Sequence, residues 1–403
     1  MLHATAPLGR KDAEPSLLLG IGFGFLSSLG PFAIDLYLPA MPGMARAMAA
    51  DSGAVQRTLS AFFLGLALAQ IPLGTLGDRY GRRRPLLGGL ALFIAASIAC
   101  SMATSLDMLI ACRFLQGMGA CAGTASVRAM IRDRHSGHRA AQLMAFTFLI
   151  IGISPVLAPL AGSYLLQIMS WRGLFALLAA GGVVALVAVL LFLPESLPPE
   201  RRAHQLPMLE TYRRLLATPA FVGWTIVAGL ATTIPFAFVT AAPFLYTQGF
   251  GLTAHHYSLL LAVNAVTSIV ATQFAPTLMR RLGARRLVSI AATIAIAATV
   301  LLALTTVSIA VSIGAFQLYA MLLFALAGLI LTPAAISALD AAGGGAGAAT
   351  GLLGTLQLAI TALASGAVSL LPSMTVLPLA GLLGGSFTLM AVVMLGLGGR
   401  RAV

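Results

Sequence analysis

Long apolar segments, separated by short polar turns, run through nearly the whole 403-residue chain. Each is close to the roughly 20 residues that a helix needs to cross a bilayer's hydrocarbon core. The pattern predicts twelve spans, at 17–41, 55–76, 85–103, 109–131, 140–166, 174–193, 221–246, 257–279, 287–304, 308–337, 345–371 and 376–398. So little chain remains between them that we predict an all-α integral membrane protein.

Composition agrees with this fold class. Hydrophobic residues make up 59% of the chain and charged residues 9%, and the mean hydropathy is +0.97. A net charge of +13 could indicate a nucleic-acid partner, but the basic residues alternate from turn to turn. The exceptions are Arg46, Arg57 and Arg172 on the opposite side and Arg113 within a span. This distribution follows the positive-inside rule, excludes nucleic acid as the explanation and predicts that both termini are cytoplasmic.

The two halves of the chain repeat each other. Residues 31–39 (PFAIDLYLP) match residues 235–243 (PFAFVTAAP), and a second match relates Gly81 to Gly283 at a similar spacing. Two matches at nearly one offset favour a duplicated unit, which is a common plan in transporters. We therefore predict two pseudo-symmetric six-helix halves, at 1–194 and 220–403, joined by a cytoplasmic linker at 195–219.

Two charged residues lie well inside predicted spans, Asp35 and Arg113. A charge at the centre of a membrane helix costs roughly 2.5–3.5 kcal/mol on insertion scales, so neither side chain should face lipid. We expect both to lie in a central cavity at similar depth. A carboxylate there can carry a proton across the membrane; the alternative is a static ion pair that only fixes packing.

The densest charge in the chain lies at residues 74–85 (GTLGDRYGRRRP), between two spans. It resembles the signature loop of the major facilitator superfamily, whose members move small solutes across membranes. Residues 109–120 (LIACRFLQGMGA) resemble the superfamily's fourth-helix signature, and residues 152–162 (GISPVLAPLAG) resemble the fifth-helix motif of drug:proton antiporters. With residues 35–42, 171–175, 193–199 and 347–357, the chain resembles the bicyclomycin-resistance (Bcr/CflA) type of antiporter over nearly its whole length.

The resemblance implies a role for each motif. Asp35 would be the protonation site and Arg113 its electrostatic regulator. A conformational latch on the cytoplasmic side would consist of Gly74, Asp78, Arg79, Gly81, Arg82 and Asp133. In this latch Asp78 would meet the N-terminus of the eleventh helix, around Gly345. The helix-packing motif would be Gly152, Pro155, Pro159 and Gly162.

The implied function is proton-coupled efflux of small, mostly apolar drugs, such as bicyclomycin- or chloramphenicol-like compounds, from a bacterial inner membrane. We expect a monomer that needs no cofactor or metal and is driven by the proton gradient. A mostly apolar pocket needs aromatic faces and neutral polar groups. Several residues within the spans are candidates for contact with the substrate, and for each of them a role in helix packing is the alternative. They are Tyr37, Gln70, Phe236, Phe238, Tyr246, Asn264, Gln273 and Gln357.

The sequence is also compatible with other functions. An exporter of sugars or other metabolites fits the same motifs. A channel fits the duplicated halves and the intramembrane charges less well, and the sequence contains no nucleophile or metal-ligand motif that would favour an enzyme. We interpret Cys100, Cys112 and Cys121 as packing residues, with a Cys100–Cys112 disulfide as the alternative.

Overall fold

The computed structural model describes residues 17–135, 137–198, 208–308, 311–343, 346–371 and 375–398. Helices joined by short turns make up nearly all of this part of the chain. They are α1 (Leu17–Asp35), α2 (Met41–Ala47), α3 (Ser52–Tyr80), α4 (Arg83–Ser101), α5 (Leu106–Arg134), α6 (Gly137–Leu165), α7 (Trp171–Phe192), α8 (Met208–Leu216), α9 (Pro219–Phe244), α10 (Ala254–Leu282), α11 (Ala284–Ser308), α12 (Ile313–Ala341), α13 (Ala346–Ser369) and α14 (Val376–Gly398). A 3₁₀ turn, Leu38–Ala40, precedes α2, and a π-helical turn, Leu245–Gly249, follows α9.

Eleven helical segments of the described chain are long and apolar enough to cross a membrane. The segment Leu19–Ala47 counts as one of them, although α1 breaks after Asp35 where the sequence predicted a continuous helix over 17–41. The 29-residue α5 is not among the eleven, and it carries Asp107, Arg113 and Arg128 along its length. The protein is therefore a multi-pass, all-helical membrane protein.

The repeat seen in the sequence has a structural counterpart. Helices α3 and α10 are each 29 residues long. Each begins after a capping residue, Asp51 or Thr253, whose side-chain oxygen accepts the N–H three residues further on. Each is followed by a glycine with positive φ, 92° at Gly81 and 77° at Gly283, a conformation that L-residues with a Cβ rarely adopt. The same local chemistry therefore starts and stops equivalent helices.

Helix α5 lies at the centre of the first half, packed against α1, α3 and α4. Its contact with α3 depends on glycines, because a Cβ on Gly65 would overlap the carbonyl oxygen of Phe114 and a Cβ on Gly117 would overlap that of Phe62. Backbones that approach this closely gain packing energy that larger side chains would prevent, as is common between membrane helices. The glycines thus hold α5, and with it Arg113, deep in the bundle.

The two halves meet toward one end of the bundle, which we call the outer end and which holds the α1–α3 connection. There the hydroxyl of Ser60 on α3 donates to that of Ser365 on α13 at 3.0 Å, and Thr240 on α9 lies 3.1 Å from the same oxygen. The rings of Phe63 and Phe236 pack edge to face, with centroids 4.9 Å apart. The opposite end, which holds residues 81 and 82, we call the inner end.

The close α3–α5 contact yields a prediction about stability. Replacing Gly65 with Ala should destabilise the protein by roughly 1–3 kcal/mol, because the added Cβ overlaps the Phe114 carbonyl and forces the helices apart. The matched control is Gly88→Ala on α4, where no atom lies within 4 Å of an added Cβ. The control should be neutral or slightly stabilising, since Ala is the better helix former. Thermal unfolding of the purified variants in detergent gives both values, and equal melting temperatures would contradict the prediction.

Candidate functional site

Asp35 is the last residue of α1, and Pro39 follows it by one turn. Pro39 has no N–H to donate to the carbonyl of Asp35, and its ring would clash with that carbonyl in a continuous helix. The Asp35 side chain is only 5% exposed. The hydroxyl of Ser154 on α6 donates to its Oδ2 at 3.5 Å, which is a long hydrogen bond. A buried carboxylate therefore sits at a helix break with little compensation.

Arg113 on α5 is fully buried, and it lies at the level of the end of α1, close to Asp35 along the bundle. Its Nη1 donates to the carbonyl of Ala33 at 3.0 Å and to Oε1 of Gln116. The Ala33 carbonyl is one of the last four of α1, which have no partner within the helix, and a cation is favourable at this end. The guanidinium carbon also lies 4.3 Å from the ring centre of Tyr37 and 4.4 Å from that of Phe62.

Asp35 and Arg113 do not form an ion pair in the described part of the chain. Arg113 contacts the end of α1 from α5, whereas Asp35 contacts Ser154 on α6. The static ion pair considered from the sequence is therefore wrong for this structure. Arg113 retains two buried nitrogens, Nε and Nη2, for which the described residues provide no hydrogen-bond partner.

The residues of the Gly/Pro motif of α6 differ in how closely they contact α1. A Cβ on Gly162 would overlap the carbonyl oxygen of Leu36, so this glycine allows α6 to approach the break in α1. Pro159 is buried, Pro155 is half-buried, and α6 is continuous through both. No atom lies within 4 Å of a Cβ built on Gly152. Ser154, within the same motif, contacts Asp35 and was not singled out from the sequence.

The inner-end loop is organised by Arg82. Its Nη1 lies 2.5 Å from Oδ1 of Asp78, and its Nε lies 3.0 Å from Oδ2 of Asp133 at the end of α5. The hydroxyl of Ser196 donates to the same Asp133 oxygen at 3.1 Å. These bonds tie the α3–α4 loop to α5 and to the segment that follows α7.

The remaining residues of the predicted latch take less part in this cluster. Arg79 is exposed, with its guanidinium 5.3 Å from the ring centre of Tyr80. Gly81 makes the turn, and a Cβ on Gly74 would meet no atom within 4 Å. Gly345, the predicted partner region of Asp78, lies outside the described residues. The role of the cluster as a latch stays a prediction.

Glu195, just after α7, was not predicted to take part. Its carboxylate accepts the backbone N–H groups of Arg82 at 2.8 Å and Arg83 at 3.2 Å, at the start of α4, where such groups have no partner within the helix. It also accepts the N–H groups of Ser196 and Leu197. Partial burial acts to raise the pKa of Glu195, but these four backbone donors outweigh it and hold the pKa below its ordinary value.

The proposed substrate contacts separate into two groups. Several are buried and already paired within one half: Tyr37 covers Arg113, and the hydroxyl of Tyr246 donates to Gln317, whose amide donates to Asn264. Phe238 is fully buried in an aromatic cluster with Tyr246, Phe316 and Phe324.

The second group lies nearer the junction of the halves. Gln70 accepts a hydrogen bond from the thiol of Cys121 and lies close to Gly354 on α13. Phe236 packs on Phe63 across the junction, and Gln357 on α13 is half-buried. Gln273 is exposed. All three cysteines are free, so the Cys100–Cys112 disulfide is absent.

Comparison with known proteins identifies the class. The family model described as Major Facilitator Superfamily matches residues 21–365, and the chain belongs to this family of transporters.

Three relatives within the family are similar to this chain over most of its length or over a large part of it. It is 30% identical over 376 residues to the uncharacterized MFS-type transporter YdgK of Bacillus subtilis, covering 91% of this chain and 90% of that protein. It is 26% identical to the bicyclomycin resistance protein homolog of Haemophilus influenzae, covering 92% and 93%. It is 30% identical to the multidrug resistance protein MdtL of Escherichia fergusonii, covering 62% and 63%.

The Glu195 contacts predict a pH dependence. Because the folded-state pKa of Glu195 is lowered, the carboxylate stabilises the fold above the ordinary glutamate pKa of about 4.3, and this stabilisation is lost as the pH falls through the folded-state pKa. Glu195→Gln should therefore cost on the order of 1 kcal/mol near pH 7 and progressively less below about pH 4.3. Melting temperatures in detergent at several pH values, with exposed Glu210→Gln as control, measure this. A pH-independent difference between wild type and Glu195→Gln would show that the charge is not responsible.

Proposed function

We propose that this chain is a proton-coupled drug exporter of the bacterial inner membrane, working by alternating access. In this proposal α5 crosses the membrane together with the eleven apolar segments, which gives twelve spans and places both termini in the cytoplasm. Its 29 residues are sufficient for a crossing, and its packing among α1, α3 and α4 keeps Arg113 away from lipid.

The observation that carries the proposal is the environment of Asp35. Its charged form would place a buried carboxylate, without a cation, at the C-terminal end of a helix, where the partial charge is already negative. A proton removes that cost. Asp35 is therefore suited to hold a proton in one state of the transport cycle and to release it in another, as coupling to the proton gradient requires.

Drugs are the substrate class that the relatives favour. Two of them carry the names multidrug resistance protein and bicyclomycin resistance protein homolog. The described junction between the halves offers aromatic and neutral polar groups, including Phe236, Gln70 and Gln357, to a mostly apolar compound. Arg113 would act on Asp35 through α1, because its contact is with the carbonyl of Ala33 and not with the carboxylate.

Proton release measures the coupling directly. Adding chloramphenicol or bicyclomycin to purified protein near pH 7 in weakly buffered solution should release up to about one proton per bound drug, since binding favours deprotonated Asp35. The release should be absent in Asp35→Asn and present in the control Asp107→Asn, which removes an exposed carboxylate at the start of α5. If both Asp35 forms bind drug equally without proton movement, Asp35 has only a structural role and the coupling proposed here is wrong.

Alternating access requires the contacts at the outer end to open. Ser60, Thr240 and Ser365 join α3, α9 and α13 there through hydroxyl groups, whose hydrogen bonds can be exchanged for bonds to water when the contact opens. A Cβ on Gly53, at the start of α3, would overlap the carbonyl oxygen of Ser369 on α13. In the proposal this contact closes the outer end while substrate enters from the inner end.

A reversible cross-link between the halves follows from this geometry. In a background with Cys100, Cys112 and Cys121 replaced by Ser, Ser60→Cys with Ser365→Cys should form a disulfide, because the two hydroxyl oxygens are 3.0 Å apart. Oxidation should abolish drug transport in proteoliposomes and reduction should restore it. The two single-cysteine variants serve as controls. Full transport by the cross-linked protein would rule out opening of α3 from α13 as part of the cycle.

A further inference from the structure

Arg128 lies further from the end of its helix than the other described arginines of the inner side. It is inside α5, within the span predicted at 109–131 and six residues before the end of the helix. At about 1.5 Å per residue this is roughly 9 Å from Arg134 along the helix axis. Arg128 is half-buried, whereas Arg132 and Arg134 on the same helix are exposed.

The charge of Arg128 has no protein counter-charge in the described part of the chain. Its Nε donates to the carbonyl of Thr124, one turn earlier on the same helix, at 3.0 Å. The two ion pairs described both belong to Arg82. A guanidinium has five N–H donors, so most of those on Arg128 are left without a protein acceptor among these residues. An intramembrane cation of this kind is costly, which makes a functional partner the first explanation to test.

The direction in which Arg128 faces follows from its neighbours on α5. Cys121, two turns earlier on the same face, donates to Gln70 on α3 at 3.0 Å. A Cβ on Gly354 of α13 would lie 3.5 Å from Nε2 of Gln70, so this face of α5 points toward the junction of the two halves. Arg128 lies on that face about 10 Å closer to the inner end.

Toward the inner end, glycines on α3 and α13 have open space beside them. Gly74 follows Gln70 by one turn on α3, and Gly351 precedes Gly354 by one turn on α13. Neither has an atom within 4 Å of a built Cβ, in contrast to Gly53 nearer the outer end of α3, where a Cβ would overlap the carbonyl oxygen of Ser369 on α13. There is thus open space between α3 and α13 beside the face that carries Arg128.

We propose that Arg128 binds a negatively charged group of the transported compound as it enters from the inner end, so that the substrates include amphipathic anions with an apolar body. The inference rests on the proposed export function and adds a chemical class to it. A planar guanidinium with free terminal nitrogens holds a carboxylate through two parallel hydrogen bonds. The apolar body of the compound would lie beyond it, toward Gln70 and the aromatic pair Phe63 and Phe236.

A matched pair of probes tests this subsite. Chloramphenicol is neutral, and its succinate ester adds one carboxylate that is ionised near pH 7. Both are titrated into purified protein while intrinsic tryptophan fluorescence is followed. We expect Arg128→Gln to weaken binding of the succinate ester about tenfold or more and that of chloramphenicol less than about twofold. Arg128→Lys keeps the charge and should retain most of the ester affinity.

The control variant is Arg132→Gln, which removes the same charge one turn away at an exposed position and should leave both affinities unchanged. Unchanged binding of chloramphenicol by Arg128→Gln also shows that this variant is folded. Equal weakening of both probes would assign Arg128 to the fold or to closure of the inner end and overturn the subsite. A wild type that binds chloramphenicol but not the ester overturns the subsite alone, whereas one that binds neither overturns the export of such drugs as well.

Discussion

The end of α1 at Asp35, one turn before Pro39, is the constraint on which the rest of the site depends. Because α1 ends there, its last carbonyls need other partners, and Arg113 donates to one of them. The same break brings the backbone of Leu36 against Gly162, which positions α6 and its Ser154 beside the carboxylate. Asp35, Arg113 and the Gly/Pro motif of α6 are thus connected through one helix end.

The corresponding helix end in the second half has a neutral residue in place of Asp35. Pro243 corresponds to Pro39, yet α9 runs on to Phe244 and then into a π-helical turn, with Val239 where the first half has Asp35. The polar contacts there are neutral: Tyr246, Gln317 and Asn264 bond to one another in the buried core. A shared scaffold therefore carries ionisable chemistry in one half and neutral hydrogen bonds in the other.

Much of the fold could be predicted from the sequence. Spans are long and uniformly apolar, so their existence is clear, and Gly81 and Gly283 mark equivalent turns because only glycine readily adopts positive φ. Glu195 could not be found in this way. It lies 113 positions from Arg82, and nothing local indicates that a residue after α7 will accept the first N–H groups of α4. The absence of an Asp35–Arg113 ion pair was equally hidden, because helical spacing does not say on which side of α1 each neighbour packs.

The sequence by itself determined that the chain crosses a membrane repeatedly, since this follows from composition and periodicity. It also predicted two related halves, and it singled out Asp35 and Arg113 through the cost of burying charge. Tertiary structure alone decided which polar groups meet. Close approach at Gly65, Gly117 and Gly162 sets the helix order and rotation, and those in turn place Ser154 on Asp35 and Arg113 on the end of α1. Such contacts join residues far apart in the chain, so only the packed bundle specifies them.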